Sequence, residues 1–358
     1  MHVYLVGGYV RDLYLTRELG YPANEGDRDW VVVGSTPEEM ISKGYKPVGK
    51  DFPVFLHPKT HEEYALARTE RKIAPGYHGF VFQAGKDITL EEDLKRRDLT
   101  INAMALDGDI LIDPNNGLND IRGKILRHVS EAFKEDPVRI LRIARFSAKL
   151  PEFTIAPETF ELLKTMVQNG EADSLVAERV FLEMRKTFRE KTPSRFITVL
   201  QSCGLWQRFF KNFSINSSVL SVLDENHDLA ECEKFALLTH SENDSERIRD
   251  FLSTLKPPAE IADIVFLWNR VKDCFANSDA QSLLSLIEVC DAIRRPNRFR
   301  SVLNVARAIY RIDITLWLKA NECVKSVNSA KIAASCPDKS AIGQALHQAR
   351  LKAIEELF

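Results

Sequence analysis

The spacing of apolar residues along the chain changes near residue 130. Before this point, short apolar or β-branched runs such as HVYLV, WVVVG, VFLH, EEYALAR and ILIDP are separated by Gly, Pro and Asn. Such runs predict strands with short helices between them. After this point, apolar residues recur at helical spacing, as in PVRILRIARFSAKL, AERVFLEMRKTF and SAIGQALHQARLKAIEELF. The pattern predicts an α+β fold, with a small mixed α/β head followed by an elongated all-helical body.

A phosphate-binding turn is predicted at the end of the first strand. Gly7 and Gly8 follow HVYLV, and YVRDLYL after them predicts the first turns of a helix. Glycines at this junction let backbone N–H groups approach a phosphate chain, and the helix N-terminus adds a partial positive charge. Arg11, one turn into the helix, is placed to donate to phosphate oxygens. The alternative for a glycine pair alone is an ordinary turn.

Two aspartates one residue apart, Asp27 and Asp29, begin the next predicted strand, DRDWVVVG. Residues two apart on a strand point to the same face, so we expect both carboxylates to share a metal ion while Arg28 points away. The alternative for a lone D-x-D pair is a solvated strand end. Paired carboxylates beside a phosphate-binding turn indicate Mg²⁺-dependent nucleotidyl transfer.

Six segments, in this order, carry a family resemblance: LVGGYVRD, DRDWVVVGSTPEEM, DFPVFLHPKTHEEYALARTER, DLKRRDLTINAMA, DPNNGLNDIRGKILRHVS and EDPVRILRIARF. The sequence resembles the bacterial tRNA nucleotidyltransferases, or CCA-adding enzymes, which are class II members of the polymerase-β-type nucleotidyltransferase superfamily. The resemblance covers nearly all of residues 1–150 and continues more loosely to about residue 210. It implies template-independent addition of C, C and A to the 3′ end of tRNA from CTP and ATP, with Mg²⁺ as the cofactor.

The resemblance also implies a domain order and a set of site residues. A nucleotidyltransferase head would span residues 1–132, and a helical neck would span residues 133–210. Residues 211–358 would form a helical body and tail that bind the acceptor stem and elbow of tRNA. Asp27 and Asp29 would be catalytic and hold Mg²⁺. Glu63 stands where the family often has a third carboxylate, and a plain surface glutamate is the alternative. The implied nucleotide-binding residues are Gly8, Arg11, Arg97, Asp136, Arg139, Arg142 and Arg145.

The segment EDPVRILRIAR has both a local and a functional interpretation. Locally, Asp136 as N-cap and Pro137 at the first helical position predict the start of a helix. The family motif implies that Asp136 and Arg139 also select the incoming base. A carboxylate accepts from the exocyclic amino group that C and A share, and a guanidinium donates to their ring acceptors. G and U present the opposite pattern, which would leave buried groups unpaired.

Several other segments carry weaker expectations. Residues 68–83 are basic and aromatic, which predicts a mobile loop near RNA or, alternatively, a plain surface loop. A similar loop in the family influences the switch from adding C to adding A. Residues 13–26 are longer than is usual in the family and predict an enlarged loop. Six further residues match family positions and are predicted to have structural roles: Asp98, Asn102, Asp113, Gly117, Asp120 and Arg127.

The C-terminal third resembles a degenerate HD phosphohydrolase region. In KFALLTHSEN, Ser241 stands where the family's metal-binding aspartate would follow His240, and the His227–Asp228 dipeptide lacks suitably spaced partners. We therefore expect no phosphohydrolase site. The basic positions of AIRRPNRFRS could contact tRNA phosphates or lie in a solvated loop between helices: Arg294, Arg295, Arg298 and Arg300.

Composition limits the remaining possibilities. The formal net charge is −2, so RNA would have to bind through local basic patches. All six cysteines lie in the C-terminal half without a C-x-x-C pair, and no secretory or membrane-spanning segment is expected. These features predict a cytoplasmic protein. We also expect it to be a monomer. The alternatives are a poly(A) polymerase, which Asp51 before Phe52 disfavours, an enzyme that adds only CC or only A, and an inactive RNA-binding relative.

Overall fold

The computed structural model describes residues 1–23, 26–48, 54–72, 80–336 and 338–358. The chain divides into two compact units, Met1–Phe209 and Phe210–Phe358. Every strand of the described ranges lies in the first unit, and the second unit is helical, which confirms the α+β fold class. The predicted head and neck both fall within the first unit, so their boundary at residue 132 stays a prediction.

The first unit contains the strands and the helices of residues 1–209. The strands are β1 His2–Val6, β2 Asp29–Val33, β3 Lys46–Val48, β4 Val54–Leu56, β5 Glu63–Leu66, β6 Arg68–Lys72, β7 Phe80–Ala84, β8 Ala105–Asp107, β9 Ile110–Ile112, β10 Ile125–Leu126 and β11 Thr154–Ile155. The helices are α1 Gly8–Leu19, α2 Pro37–Ser42, α3 Leu90–Lys95, α4 Gly117–Gly123, α5 Val138–Lys149, α6 Pro157–Gln168, α7 Ala177–Thr187 and α8 Ser194–Ser202.

The second unit follows α9, Leu205–Phe210, which crosses the boundary between the units. Its helices are α10 Ser217–Glu225, α11 Glu231–Leu238, α12 Ser245–Leu255, α13 Ala259–Val271, α14 Ala280–Val289, α15 Pro296–Tyr310, α16 Thr315–Ser326, α17 Ser329–Ser335 and α18 Ile342–Glu355. Trp268 and Phe299 are fully buried in its core. Among the residues that the structure describes, no helix combines the length and apolar content needed to cross a bilayer.

A seven-stranded sheet with the order β3-β4-β5-β2-β1-β8-β9 forms the centre of the first unit. Strands β2 and β5 are parallel, and the other neighbours are antiparallel. Alternate residues of β2 pack on opposite faces: Val31 joins a cluster with Leu90 and Leu94 of α3, and Val32 joins one with Met40 and Phe55. Because Asp29 has the same parity as Val31, its side chain lies on the face that carries α3.

Three segments differ from the sequence-based expectation. Residues 13–26 were expected to form an enlarged loop, but helix α1 continues through the first half of this segment to Leu19. Residues 68–83 were expected to be a loop, but β6 and β7 pair as an antiparallel hairpin that is separate from the main sheet. Residues 73–79 lie outside the described residues, as does Asp51. The segment DLKRRDLTIN was expected to place Asn102 one helical turn after Asp98. Instead α3 ends at Lys95, and a separate 3₁₀ turn covers Thr100–Asn102.

The turn between β9 and α4 has the structural role that its sequence suggested. The Asp113 carboxylate accepts from the backbone N–H groups of Gly117 and Leu118 at 2.8 and 2.9 Å. A Cβ atom on Gly117 would lie 2.3 Å from the Thr100 carbonyl oxygen, so only glycine fits there. The Thr100 hydroxyl in turn donates to Asp120 at 2.7 Å. These contacts join the 3₁₀ turn to α4.

Candidate active site

Asp29 and Glu63 lie opposite each other on the parallel strands β2 and β5. Both are the first residue of their strand, and both point to the sheet face that carries α3. Asp29 is exposed at the start of its strand, but partial desolvation raises its pKa, and the negative charges of Glu63 and Asp27 raise it further, while Arg97 acts in the opposite direction. The predicted neighbouring strand for Glu63 is confirmed, and its carboxylate joins Asp29 in one cluster.

Asp27 is not on the strand, so the reason given for pairing it with Asp29 is wrong. Strand β2 begins at Asp29, and Asp27 precedes it in an exposed, irregular segment. Its charge still reaches Asp29. Within the described ranges, no group of three His, Cys, Asp or Glu side chains is arranged closely enough to hold a metal ion on its own. A metal at this position would therefore need ligands from a substrate as well.

A cleft with a volume of about 700 Å³ opens above the carboxylate cluster. Its described lining contains ten basic and five acidic side chains, although the whole chain has a net charge of −2. Such a local excess of positive charge attracts polyanions. The basic side chains are Arg11, Arg68, Arg96, Arg97, Arg139, Arg142, Arg145, Lys149, Arg179 and Lys186; the acidic ones are Asp29, Glu63, Asp98, Asp136 and Glu183.

Gly7 and Gly8 line this cleft at the start of α1, as the sequence predicted for a phosphate-binding turn. Gly7 has φ 75° and ψ −134°, a conformation that side-chain-bearing residues rarely adopt. A Cβ atom on Gly7 would lie 3.5 Å from Arg97 Nη1 and 3.7 Å from Asp29 Oδ2. Both distances are ordinary van der Waals contacts, so the backbone conformation rather than lack of space calls for glycine at position 7. The sequence analysis placed both glycines in the turn but gave only Gly8 as a nucleotide-binding residue.

Arg11 lines the cleft but is held mainly by its neighbours. It is buried, and its guanidinium donates to Asp12 Oδ1 at 2.7 Å and to Asn102 Oδ1 at 2.8 Å. Asn102 itself donates to Asp98 Oδ1 at 3.0 Å. Burial lowers the pKa of Lys149, and the nearby charge of Arg11 adds to this effect. The amide of Asn102 thus connects Arg11 to the opposite wall of the cleft.

Arg97 and Arg96 share a buried carboxylate, Asp93. Asp93 accepts from Arg97 Nη2 at 3.1 Å, from Arg96 Nη2 at 3.0 Å and from the backbone N–H of Arg68 at 3.3 Å. Burial alone would raise the pKa of Asp93, but the two guanidinium charges outweigh it and the pKa is lowered. The sequence analysis did not identify Asp93. Its four-residue spacing before Arg97 on a helix was the available signal.

Arg142 and Arg145 of α5 are also held by acidic partners. Arg142 Nε donates to Asp98 Oδ2, and Arg145 Nε donates to Glu183 Oε2, both at 2.7 Å. Asp98 is buried, yet Arg142, Asn102 and the Leu99 N–H lower its pKa well below the usual range. The pKa of Glu183 is lowered in the same way, because the charge of Arg145 outweighs the effect of burial. Arg142 and Arg145, which the family resemblance implied as nucleotide-binding residues, both line the cleft, and carboxylates fix their positions.

Asp136 and Arg139 both line the cleft at the start of α5. Asp136 Oδ1 accepts from the Val138 N–H at 3.0 Å, and Pro137 has helical dihedral angles, which confirms the predicted cap. The Arg139 guanidinium donates to the carbonyl oxygens of Ala132 and Arg96 at 2.8 and 2.7 Å. These carbonyls hold the guanidinium of Arg139 in the wall of the cleft.

In the second unit, the degenerate HD region holds a lysine rather than a cluster of metal ligands. Lys272 Nζ donates to the carbonyl oxygens of His240 and Glu242 at 2.8 and 2.7 Å. The His240 ring packs 5.7 Å from both Trp268 and Tyr310. Of the four basic positions proposed for phosphate contact, Arg298 and Arg300 lie on helix α15 rather than in a loop, and Arg298 pairs with Asp263. Arg294 and Arg295 lie in the preceding turn, near Asp291.

Comparison with known protein families and structures shows what the chain is similar to. Residues 3–127 match the family described as "Poly A polymerase head domain". Residues 152–216 match the family described as "Probable RNA and SrmB- binding site of polymerase A". A Bacillus stearothermophilus CCA-adding enzyme, solved in complex with CTP, superposes with a TM-score of 0.68 at 25% identity, covering 99% of this chain and 89% of that chain.

Curated relatives are similar over the full length of the chain. A CCA-adding enzyme of Bordetella pertussis is 46% identical over 99% of this chain and 96% of its own length. A multifunctional CCA protein of Azoarcus sp. is 41% identical over 100% of this chain and 97% of its own length. Identity of this extent over nearly the whole of both sequences shows that this chain belongs to the family of bacterial CCA-adding enzymes.

Proposed function

We propose that this protein adds C, C and A to the 3′ end of tRNA, with CTP and ATP as donors and Mg²⁺ as the cofactor. One observation carries the proposal: Asp29 and Glu63 lie in register at the floor of a cleft whose lining has twice as many basic as acidic side chains. A triphosphate and a divalent cation match these two parts of the cleft. The related CCA-adding enzymes, one of them solved in complex with CTP, support the same reaction.

Asp29 is the residue best placed to hold Mg²⁺, with Asp27 and Glu63 beside it. The crowded carboxylates raise the pKa of Asp29, and a divalent cation would relieve that repulsion. Carboxylate oxygens are also the ligands that Mg²⁺ prefers. When bound, the ion neutralises negative charge at the reacting phosphate and lowers the pKa of the attacking hydroxyl.

The chemistry is an in-line displacement at the α-phosphorus of the nucleoside triphosphate. The 3′-hydroxyl oxygen forms the new bond to phosphorus, the bond to the pyrophosphate oxygen breaks, and the hydroxyl proton is released to water. Negative charge grows on the leaving pyrophosphate, and we assign its stabilisation to Arg97, Arg142 and Arg145, which line the cleft. Because buried carboxylates already fix these arginines, little reorganisation is needed as that charge develops.

Asp136 and Arg139 are proposed to select C and A over G and U. Asp136 accepts from the Val138 N–H and Arg139 donates to two carbonyls. Because a carboxylate has about four acceptor sites and a guanidinium five donors, such contacts do not by themselves prevent base recognition. We expect Asp136→Asn to admit UTP or GTP, because an amide donates where the carboxylate can only accept. Misincorporation measured with single nucleotides tests this point.

The decisive experiment uses tRNA transcripts that end before, within and after the CC sequence. Each is incubated with Mg²⁺ and either single or mixed nucleotides, and the products are resolved on a sequencing gel. Stepwise addition of C, C and A that stops at A supports the proposal. Continued addition of A would indicate a poly(A) polymerase, and addition of only part of the triplet would indicate a partial enzyme.

Asp29→Ala and Asp109→Ala form a matched pair for this assay. Both remove one exposed carboxylate, but Asp29 lines the cleft, whereas Asp109 lies in the turn between β8 and β9. We expect Asp29→Ala to abolish addition and Asp109→Ala to leave it unchanged. No addition by the wild-type protein, or equal addition by the two variants, would contradict the proposal.

A further inference from the structure

The aromatic ring of Phe146 lies among three arginines of the cleft. The guanidinium carbons of Arg145, Arg11 and Arg142 lie 5.0, 5.1 and 5.9 Å from the centroid of this ring. Phe146 itself is only 3% exposed, and it lines the cleft. The sequence analysis named the three arginines and gave Phe146 no role. One ring therefore contacts three of the implied nucleotide-binding residues.

The three arginines reach the ring from two helices. Arg142 and Arg145 belong to α5, as does Phe146, whereas Arg11 belongs to α1. The four-residue spacing of Arg142 and Phe146 places these two side chains on one face of α5. Arg11 is far from Phe146 in the sequence, so its contact with the ring depends on the tertiary structure. The ring therefore brings together cations that local spacing alone would not group.

The hydrogen bonds of the three arginines differ from this shared contact. Each arginine donates at 2.7 Å to a different carboxylate, and these carboxylates belong to Asp12, Asp98 and Glu183. Because the carboxylates lie on separate segments of the chain, they fix each guanidinium separately. The electron-rich face of an aromatic ring attracts cations, which offsets part of the repulsion between like charges held close together. The ring of Phe146 provides this attraction to all three guanidinium groups.

A chain of phosphates needs several cations close together. Its negative charges lie within a short distance, and guanidinium groups that are already in place bind them with less loss of conformational entropy. We propose that Phe146 is a positioning residue that holds the three arginines together as one phosphate-binding group. It acts through the arginines and takes no part in the chemical step. This inference rests on the proposed function, in which the cleft binds a nucleoside triphosphate.

The first test lowers the electron density of the ring and keeps its shape nearly unchanged. Phenylalanine with one, two or three fluorine atoms on the ring is placed at position 146 of the full-length protein by nonsense suppression. Each fluorine weakens the attraction between the ring and a cation. Binding of CTP is measured with Mg²⁺ and without tRNA, so that no turnover occurs. The affinity should fall stepwise, by about tenfold with three fluorines, because the arginines must then be ordered on binding.

Inorganic pyrophosphate is the second probe, because it carries phosphate charge without a base or a sugar. Its affinity should fall along the same series by a similar factor, since the arginines are proposed to hold phosphates. The melting temperature of each variant is measured in parallel. It should not fall, because a fluorinated ring stays apolar and fills the same buried space. A purely structural role of Phe146 would instead make any loss of affinity follow a loss of stability.

Phe196 provides the matched control. It is fully buried in α8 of the same unit and does not line the cleft. Among the described residues, no guanidinium group lies over its ring. The same fluorinated residues at position 196 should leave the affinities for CTP and pyrophosphate unchanged.

Four results would overturn the inference. The first is unchanged affinity for both probes along the series at position 146, and the second is an equal loss at position 196. The third is a melting temperature that falls in step with the affinity, and the fourth is a wild-type protein that binds neither probe. A wild-type protein that adds no nucleotide but shows the graded loss of pyrophosphate affinity would contradict the proposed function and still support the role of Phe146.

Discussion

The carboxylates of the cleft belong to two regions that differ in how their charge is compensated. On the wall formed by α3, α5 and α7, Asp93, Asp98 and Glu183 each accept from at least one arginine, and their pKa values are lowered despite burial. At the strand ends, partial desolvation and the neighbouring carboxylates Glu63 and Asp27 raise the pKa of Asp29. The first region is neutralised by the protein itself, whereas the second retains negative charge that a bound cation could neutralise.

This difference shows how one cleft can hold both a polyanion and a cation. The arginine–carboxylate pairs keep basic groups in fixed positions for phosphate, although the carboxylates offset part of the positive charge of the arginines. The carboxylate cluster is destabilised by mutual repulsion in the free protein. Groups with perturbed pKa values inside a cleft are characteristic of functional sites. The raised pKa at Asp29 therefore marks function, and the lowered pKa values on the wall mark preorganisation.

Asp29→Asn should have the largest effect on catalysis. We expect turnover to fall by about 10³-fold, because the variant loses the charge that would hold Mg²⁺. Its melting temperature should stay the same or rise, since removing one negative charge relieves repulsion with Glu63 and Asp27. Single-turnover primer extension and thermal unfolding provide the two measurements. Exposed Asp109→Asn is the control, and a large loss of stability in Asp29→Asn would contradict the contrast between the regions.

Asp98→Ala should show the opposite pattern, with stability affected first. Removing Asp98 leaves Arg142 without its carboxylate and should lower the free energy of unfolding by about 2–3 kcal/mol. The folded pKa of Asp98 lies below its unfolded value of about 3.9, so its stabilising contribution is present above that pH and is lost as the pH falls toward the folded pKa. Measured by urea unfolding, the free energy of unfolding of the wild type should therefore decrease at acid pH, and the decrease should be smaller in Asp98→Ala.

Gly7→Ala should affect the junction between the two regions. The substitution forces an unfavourable backbone conformation and places a methyl group beside Arg97 and Asp29, at a cost of about 1–3 kcal/mol. We expect an increase of about thirtyfold in the KM for CTP, which corresponds to about 2 kcal/mol, the middle of that range. Gly8→Ala is the matched control: its φ is ordinary and its Cβ would lie 3.6 Å from Arg11 Nη2. Equal effects of the two variants would argue against a special role for Gly7.

Glu63→Gln should produce the smallest and most specific effect. Ionised Asp29 is the form that binds a cation, so activity at fixed, subsaturating Mg²⁺ should fall as the pH drops through the raised pKa of Asp29. Removing the charge of Glu63 should lower that pKa and move the acid limb of the pH–rate profile to lower pH. The position of the limb is the readout, whatever the absolute rate. A limb that does not move would show that Glu63 is not coupled to Asp29.

Local sequence patterns were sufficient for the elements and for most of the cleft residues. The strands around WVVVG and EEYALAR and the capped start of α5 are confirmed, because apolar periodicity and capping are properties of short segments. Gly8, Arg11, Arg97, Asp136, Arg139, Arg142 and Arg145 all line one cleft, as the shared motif order implied. Their contacts with nucleotide stay a prediction.

Long-range pairing accounts for what the sequence did not show. The register of β2 against β5 places Glu63 beside Asp29 across 34 positions of sequence. Asp93 and Glu183 became identifiable only when α3, α5 and α7 came together. Asp27 was assigned to the strand because alternation in DRDWVVVG continues through it, but the pairing with β1 and β5 begins only at Asp29.

The sequence by itself determined the fold class, the family and the chemical types of the site residues, since each depends on local spacing or on motif order. Only the tertiary structure decided which carboxylates are neutralised and which are not. That outcome depends on distances between charges on separate elements: Asp98 meets Arg142 at 2.7 Å, while Asp29 meets the charges of Glu63 and Asp27. Electrostatic energy follows distance and burial, and a linear sequence specifies neither.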